Sequence, residues 1–351
     1  MEDRDHYRDA IKFNCDVSDA LYWGYFSICG LLLRYRDLYR SEKGLKLWAN
    51  IGREEIGAWI AAKEARWPEL EKEPFRKLTV GGRELDPFDV AGINEVLKPQ
   101  GLIYGAGYGM YMKPTFFLAE LRSARELSGL TVYTLGREQI RDLLTAPAML
   151  QEQSIFLRLE PLAVLLHFKH AELGARKNSA LEDAFAQYGF PQRQIADETF
   201  EKRMEELAGR YADILLYHEI AEAREGVPQW KDILAAAGDR KNEHYLRAVK
   251  DLIADTSDYG PLKRIIDTKD RGALGLSVAL MEGFPRVLFP EIRNAYAEFR
   301  RTGAWGAVVT AREEAHRRFL ARRDSVVDLY GSSSSAQAFS AALKDLLRNM
   351  G

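Results

Sequence analysis

The stretch Tyr217-His218-Glu219-Ile220-Ala221-Glu222-Ala223-Arg224-Glu225 puts an imidazole and three carboxylates where a helix would otherwise bury leucines. At 100° per residue, Met204, Leu207, Tyr211, Leu215, His218, Glu222 and Glu225 fall within about 40° of Tyr211, so an apolar stripe turns polar in its last two turns. Burying an unpartnered carboxylate costs on the order of several kcal/mol, so these groups must meet a metal, a cation, a hydrogen-bond network or a water-filled cleft. His218 and Glu222, at i and i+4, stand one above the other and suit two ligands on one divalent ion such as Zn, Mn or Fe. Glu219 sits about 80° round the helix, where a base that activates a metal-bound water would stand. That pattern describes a metal-dependent enzyme of hydrolase type acting on a small-molecule substrate. Two structural readings stand beside it. Gly226 and Pro228 mark a helix end, where such residues are ordinarily solvated, and a buried polar network in a non-catalytic helical scaffold or adaptor would use the same residue types.

His167 and His170, with Glu172 nearby, form a second close pair on a helix starting at Pro161. The stripe Leu162, Leu165, Leu166 and Leu173 turns His170 outward, so exposure is expected for it. Gly105-Ala106-Gly107-Tyr108-Gly109 followed by Lys113 has the glycine content of a phosphate loop but lacks Gly-Lys-Ser/Thr and the following helix, and reads as a glycine-rich hairpin. Cys15 and Cys29 are the only cysteines. Both are expected as small buried hydrophobes in a reducing compartment, with no CxxC to hold zinc. No G-x-S-x-G or other serine-hydrolase signature is present.

His218-Glu219-Ile220-Ala221-Glu222-Ala223-Arg224, Lys113-Pro114-Thr115-Phe116-Phe117 and Gly136-Arg137-Glu138, together with Arg141-Asp142-Leu143 and Pro147-Ala148-Met149, resemble an uncharacterised bacterial family, a domain of unknown function without a named activity. The likeness covers residues 1 to about 300. Convergence of these strings on one cleft would make Lys113, Arg137 and Arg141 contacts for a substrate anion, and a third reading is a metal-free protein that binds a small anion through the Gly105 to Lys113 hairpin and nearby arginines. His218-Glu219 also resembles the His-Asp pair of HD-type phosphohydrolases, with His170 upstream and Asp251 and Asp255 downstream, although Glu219 stands where that pattern has aspartate.

The elements that must position these groups follow from composition and periodicity. The 351 residues include 46% hydrophobic and 29% charged residues, an ordinary globular balance. Fifty basic and 52 acidic residues leave a net charge of −2 and no general attraction to nucleic acid or an anionic membrane. Arg312, Arg317, Arg318, Arg322 and Arg323, interleaved with acids, read as a solvated helix face. The most apolar run, Ala20 to Leu33, is too short to span a bilayer and reads as a buried core helix. Met1-Glu2-Asp3-Arg4-Asp5 lacks the character of a secretory signal, and the expectation is a cytoplasmic protein, compatible with a homo-oligomer.

The fold class expected is α+β, predominantly α-helical: a helical bundle with a small, mainly antiparallel sheet in the 78–160 region. Residues 1–70 read as aromatic-rich helices, including one capped by Asp16 or Ser18 that runs through Tyr39, and another near Arg53 to Arg66. Residues 71–160 read as a small α+β segment, with a hairpin turning at Gly81-Gly82, a helix from Asp89 to Leu97, strands at 101–104, 115–119, 130–133 and 154–157, and a helix from Arg137 to Leu144. Residues 161–330 read as a helical domain in which Ser179 opens one helix, Gly189 and Pro191 end it, and others follow, among them Asn242 to Ala254 and Ala304 to Leu329. A serine-rich joint, Gly331 to Ser335, precedes a last helix in 331–351.

Overall fold

The structure, a computed structural model, describes residues 2–173, 179–190 and 197–348. Pro191 and Asn349 therefore lie outside the described residues. The chain divides into two compact units, the first running to Phe168 and including the opening part, up to Gly209, of one long later helix.

In the N-terminal unit, α1 (Glu2–Tyr22) and a 3-10 turn (Trp23–Tyr25) lead to α2 (Ile28–Glu42), α3 (Arg53–Ala65) and α4 (Trp67–Leu70). Asp16 and Ser18 lie inside α1, and the cap of α2 is Ser27, whose hydroxyl accepts from the Gly30 amide. The expected single helix is thus two. The apolar run breaks between them, leaving Leu21, Ile28, Leu32 and Leu33 exposed instead of forming a core helix. Cys15 is buried, donating to the Phe116 carbonyl at 3.3 Å, whereas Cys29 in the first turn of α2 is exposed. Gly44 follows α2 with φ 60°, the left-handed stop that glycine accepts without strain.

The hairpin of β1 (Leu78–Val80) and β2 (Arg83–Leu85) turns on Gly81 and Gly82, both with positive φ, as the paired glycines require. After α5 (Val90–Leu97), capped by Asp89, come β3 (Leu102–Tyr108), β4 (Pro114–Leu127), β5 (Leu130–Arg141), β6 (Ala148–Gln151), β7 (Ser154–Arg158) and α6 (Leu159–Ala171). The five strands β3 to β7 pair in the order β3-β4-β5-β7-β6; only the β5–β7 pair is parallel. The mainly antiparallel sheet is as expected. The helix expected from Arg137 to Leu144 is instead the end of β5, up to Arg141, and the loop that follows it. Glu, Gln and Arg favour a helix locally, but this stretch takes its backbone partners from β4, and buried Glu138 is held by Arg158 of β7, Nη2 to Oε2 at 2.9 Å.

Gly105 and Gly107 lie within β3, and the turn is Gly109 to Lys113, with Tyr111 and Met112 at positive φ. Gly105 is required for closeness: a Cβ there would enter the ring of Phe117 on β4. Gly105→Ala is expected to destabilise the protein by about 1–3 kcal/mol through overpacking, read as a lower denaturation midpoint with an unchanged slope.

The second unit is all helix among its described residues. It holds the end of α6, α7 (Ser179–Gln187), the later part of α8 (Glu198–Glu225), α9 (Trp230–Ala235), α10 (Arg240–Thr256), α11 (Pro261–Thr268), α12 (Arg271–Leu280), α13 (Gly283–Leu288), α14 (Pro290–Thr302), α15 (Gly306–Ser332) and α16 (Ala336–Arg348). Gly331 and Ser332 extend α15, which shortens the serine-rich joint to Ser333–Ser335. Arg312, read as part of a solvated face, is buried and donates to the Thr256 carbonyl at 2.8 Å. The molecule is α+β and mostly helical, and no helix among the described residues is long and apolar enough to cross a membrane.

Candidate functional site

The buried stripe of α8, Met204, Leu207 and Tyr211, does give way to polar residues: after Leu215 come His218 and Glu222, both half-buried. These last turns face α10, so they are not a solvated helix end. Asp239 caps α10 by accepting from the Asn242 amide, and Leu246, Val249, Leu252 and Ile253 seat it in the core. Its Asp251 and Asp255, at i and i+4, share a face, with Lys250 beside them.

His218 Nδ1 lies 2.8 Å from Asp255 Oδ1, and its Nε2 lies 3.3 Å from Glu222 Oε1. Lys250 Nζ donates to the same Glu222 oxygen and lies 3.8 Å from Asp251. His218, Glu222 and Asp251 each present a ligand-capable atom within 4.8 Å of the others, the only such group among the described residues. A hollow of about 20 Å³ beside Glu222 and Lys250, lined also by Trp230 and Ile253, has room for roughly one water.

Electrostatics bind the cluster together. Burial disfavours a charged imidazole, but Asp255 and Glu222 outweigh it and hold the His218 pKa well above its ordinary value. Burial likewise works against the Glu222 carboxylate, yet Lys250 and His218 hold its pKa well below the ordinary one. Asp251 is pushed up to about 6 by burial, with Lys250 working the other way and Glu222 adding to the rise. Lys250 is raised by Glu222 and Asp251 against the cost of its own burial, and Glu219 acts on it too.

The residues singled out in the sequence divide into separate places. His218 and Glu222 meet as their spacing implies. Glu219 is buried on the same turn but lies outside the group of three. His170 is buried against Phe185 and Phe190, with ring centroids at 5.1 and 5.8 Å, contrary to the exposure expected, and His167 packs on Phe200; neither joins the group. Arg137 and Arg141 line one cavity of the N-terminal unit. Lys113 does not line it; its ammonium is buried against Ser18 at 2.7 Å, Asp19 at 3.0 Å and Asp142 at 3.4 Å.

Lys250 and Arg122, which also lines that cavity, escape sequence reading. Lys250 looks like any helix-surface lysine. Arg122 sits in a polar stretch whose one signal is the Ser128-Gly129 turn that returns β4 into β5.

The model of a family of unknown function, DUF6866, matches through its N-terminal domain over residues 6–158 and through its C-terminal domain over residues 164–349. The chain belongs to that family, in keeping with the resemblance to a domain of unknown function. No curated protein and no solved structure matches it significantly.

Proposed function

We propose that this DUF6866 chain is a metal-dependent enzyme of hydrolase type, with His218, Glu222 and Asp251 as ligands to one divalent cation. The observation that carries the reading is the seating of His218. A metal-bound histidine normally has its other ring nitrogen fixed by a carboxylate, which sets tautomer and orientation. Asp255 holds Nδ1 in this way, while Nε2 is turned to Glu222. One imidazole and two carboxylates suit Zn, Mn or Fe, and a bound ion would lower the pKa of a coordinated water toward neutrality. The ion would take the place of two positive charges at once, the proton on Nε2 and the ammonium of Lys250. Glu219, close enough to act on Lys250, is assigned the proton released from that water.

The test is metal analysis of the untagged full chain after exposure to Zn²⁺, Mn²⁺ and Fe²⁺, followed by hydrolysis assays on p-nitrophenyl phosphate and p-nitrophenyl acetate. One ion per chain, lost in His218→Ala with the fold kept, is the expected result. Asp255→Asn should weaken binding by about 10–100-fold, since it disturbs only the support of the ligand. Glu219→Gln should keep the ion and lose turnover. A protein that takes up no ion, and whose melting temperature none of the three metals shifts, overturns the proposal. That result favours the rival reading of a structural network, which the Lys250–Glu222 ion pair supports because it already neutralises the buried carboxylate.

A further inference from the structure

A cavity of about 340 Å³ in the N-terminal unit falls within the range of small-molecule sites. Its walls come from the end of α2 and the loop after it, β4, β5, α6 and the first turns of α8. The loop is pinned by Arg40, which donates to the carbonyls of Lys46 at 3.0 Å and Ala49 at 3.3 Å. Leu45, Leu159 and Val164 supply an apolar side.

The charges lining it are unevenly committed. Of the acids, Asp37 pairs with Arg141 at 2.9 Å, Glu201 with Lys46 at 3.1 Å, and Glu160 accepts from the Glu138 amide at 2.6 Å; Glu205 also borders the space. Burial raises the pKa of Glu160 against the opposing pull of the Glu138 amide and Arg141. Among the cations, Arg141 is buried with Nη2 bonded to Asp37, while its Nε and Nη1 make no hydrogen bond. Among the described residues, Arg122 and Arg137 make neither an ion pair nor a hydrogen bond.

Two glycines let these arginines converge. A Cβ on Gly136 would come within 2.9 Å of Arg122 Nε, and one on Gly44 within 3.3 Å of Arg137 Nη2. Larger residues at either position would push a guanidinium aside. Two uncommitted guanidinium groups, each with a planar fork of donors, beside an apolar wall match a ligand with an oxyanion at one end and hydrocarbon at the other.

We propose that this cavity binds a small organic anion, its carboxylate or phosphate end held by Arg122 and Arg137 and its apolar part lying against Leu45, Leu159 and Val164. The site lies wholly within the N-terminal unit and shares no residue with the His218 cluster, so either assignment survives failure of the other.

The test is calorimetric titration of the full chain with hexanoate, hexyl phosphate, acetate and hexylamine. Hexanoate or hexyl phosphate should bind at least about tenfold more tightly than acetate, because the hydrocarbon is buried, and hexylamine should not bind. Whichever of the two anions is tighter names the head group. The double variant Arg122→Gln/Arg137→Gln should bind at least about tenfold more weakly with an unchanged melting temperature, since neither arginine has a hydrogen-bond or ion-pair partner among the described residues. Absence of binding at millimolar anion, equal binding of hexylamine, or undiminished binding by the double variant overturns the proposal.

Discussion

Replacing Lys113 by methionine is expected to destabilise the protein by about 3–5 kcal/mol, the cost of stripping the paired ammonium from a buried charge cluster. The methionine fills the space of the lysine stem but leaves Asp19 and Asp142 without their counter-charge. Both carboxylates are fixed by backbone donors, Asp19 by the Leu143 amide at 3.1 Å and Asp142 by the amides of Phe116 at 3.0 Å and Leu144 at 2.7 Å, so neither can turn out to water without breaking those bonds. The cluster ties α1 to the start of β4 and the end of β5, because Ser18 accepts from Lys113 and donates to the Pro114 carbonyl. The loss should depend on pH. Burial raises Asp19 from 3.8 to about 7 even with Lys113 opposing the rise and Asp142 adding to it. A carboxyl whose folded pKa exceeds its unfolded one stabilises fully below the unfolded value and loses that contribution as pH rises through the folded value. Without Lys113 the folded pKa climbs further, so the deficit should be smallest and level below about pH 7, where Asp19 is protonated in both folded proteins, and should grow as the pH rises above about 7. Chemical denaturation of both proteins at three pH values checks this, and a deficit that stays constant across the range contradicts it.

Lys250→Met has the second large expected effect, and it separates a metal centre from a structural network. The ammonium on Glu222 is an internal competitor for the cation position. Hydrogen bonds to charged groups contribute about 1.5–3 kcal/mol, so removing this one should tighten divalent-ion binding by roughly 10–100-fold while lowering the stability of the metal-free protein. Thermal melting with and without Mn²⁺ or Zn²⁺ reads both effects in one experiment. A variant that melts lower and gains nothing from metal identifies Lys250 as part of a purely structural network.

The legible part of this chain is the part in which neighbours along the sequence decide the outcome. The glycine pair at 81 and 82 dictates a hairpin because both positions adopt positive φ, Asp89 announces α5, and the 3.6-residue period of the C-terminal half predicts its longer helices to within a few residues, though not the short α9 and α13. The same period places His218 and Glu222 on one face of α8.

What that face meets was decided by the fold. Asp251, Asp255 and Lys250 lie some thirty to forty positions downstream, and only the packing of α10 against α8 brings Asp255 to the His218 imidazole and Lys250, with Asp251 beside it, to Glu222. The stretch from Arg137 to Leu144 shows the same reason at work in the opposite direction. Its residues favour a helix, but pairing with β4 and the Glu138–Arg158 ion pair make Arg137 to Arg141 a strand, in which Arg137 is exposed at the cavity and Arg141 is buried with Asp37. Local propensities are worth tenths of a kcal/mol per residue, whereas one buried charge left unpaired costs several; long-range partners therefore outweigh local preference wherever charges go inside.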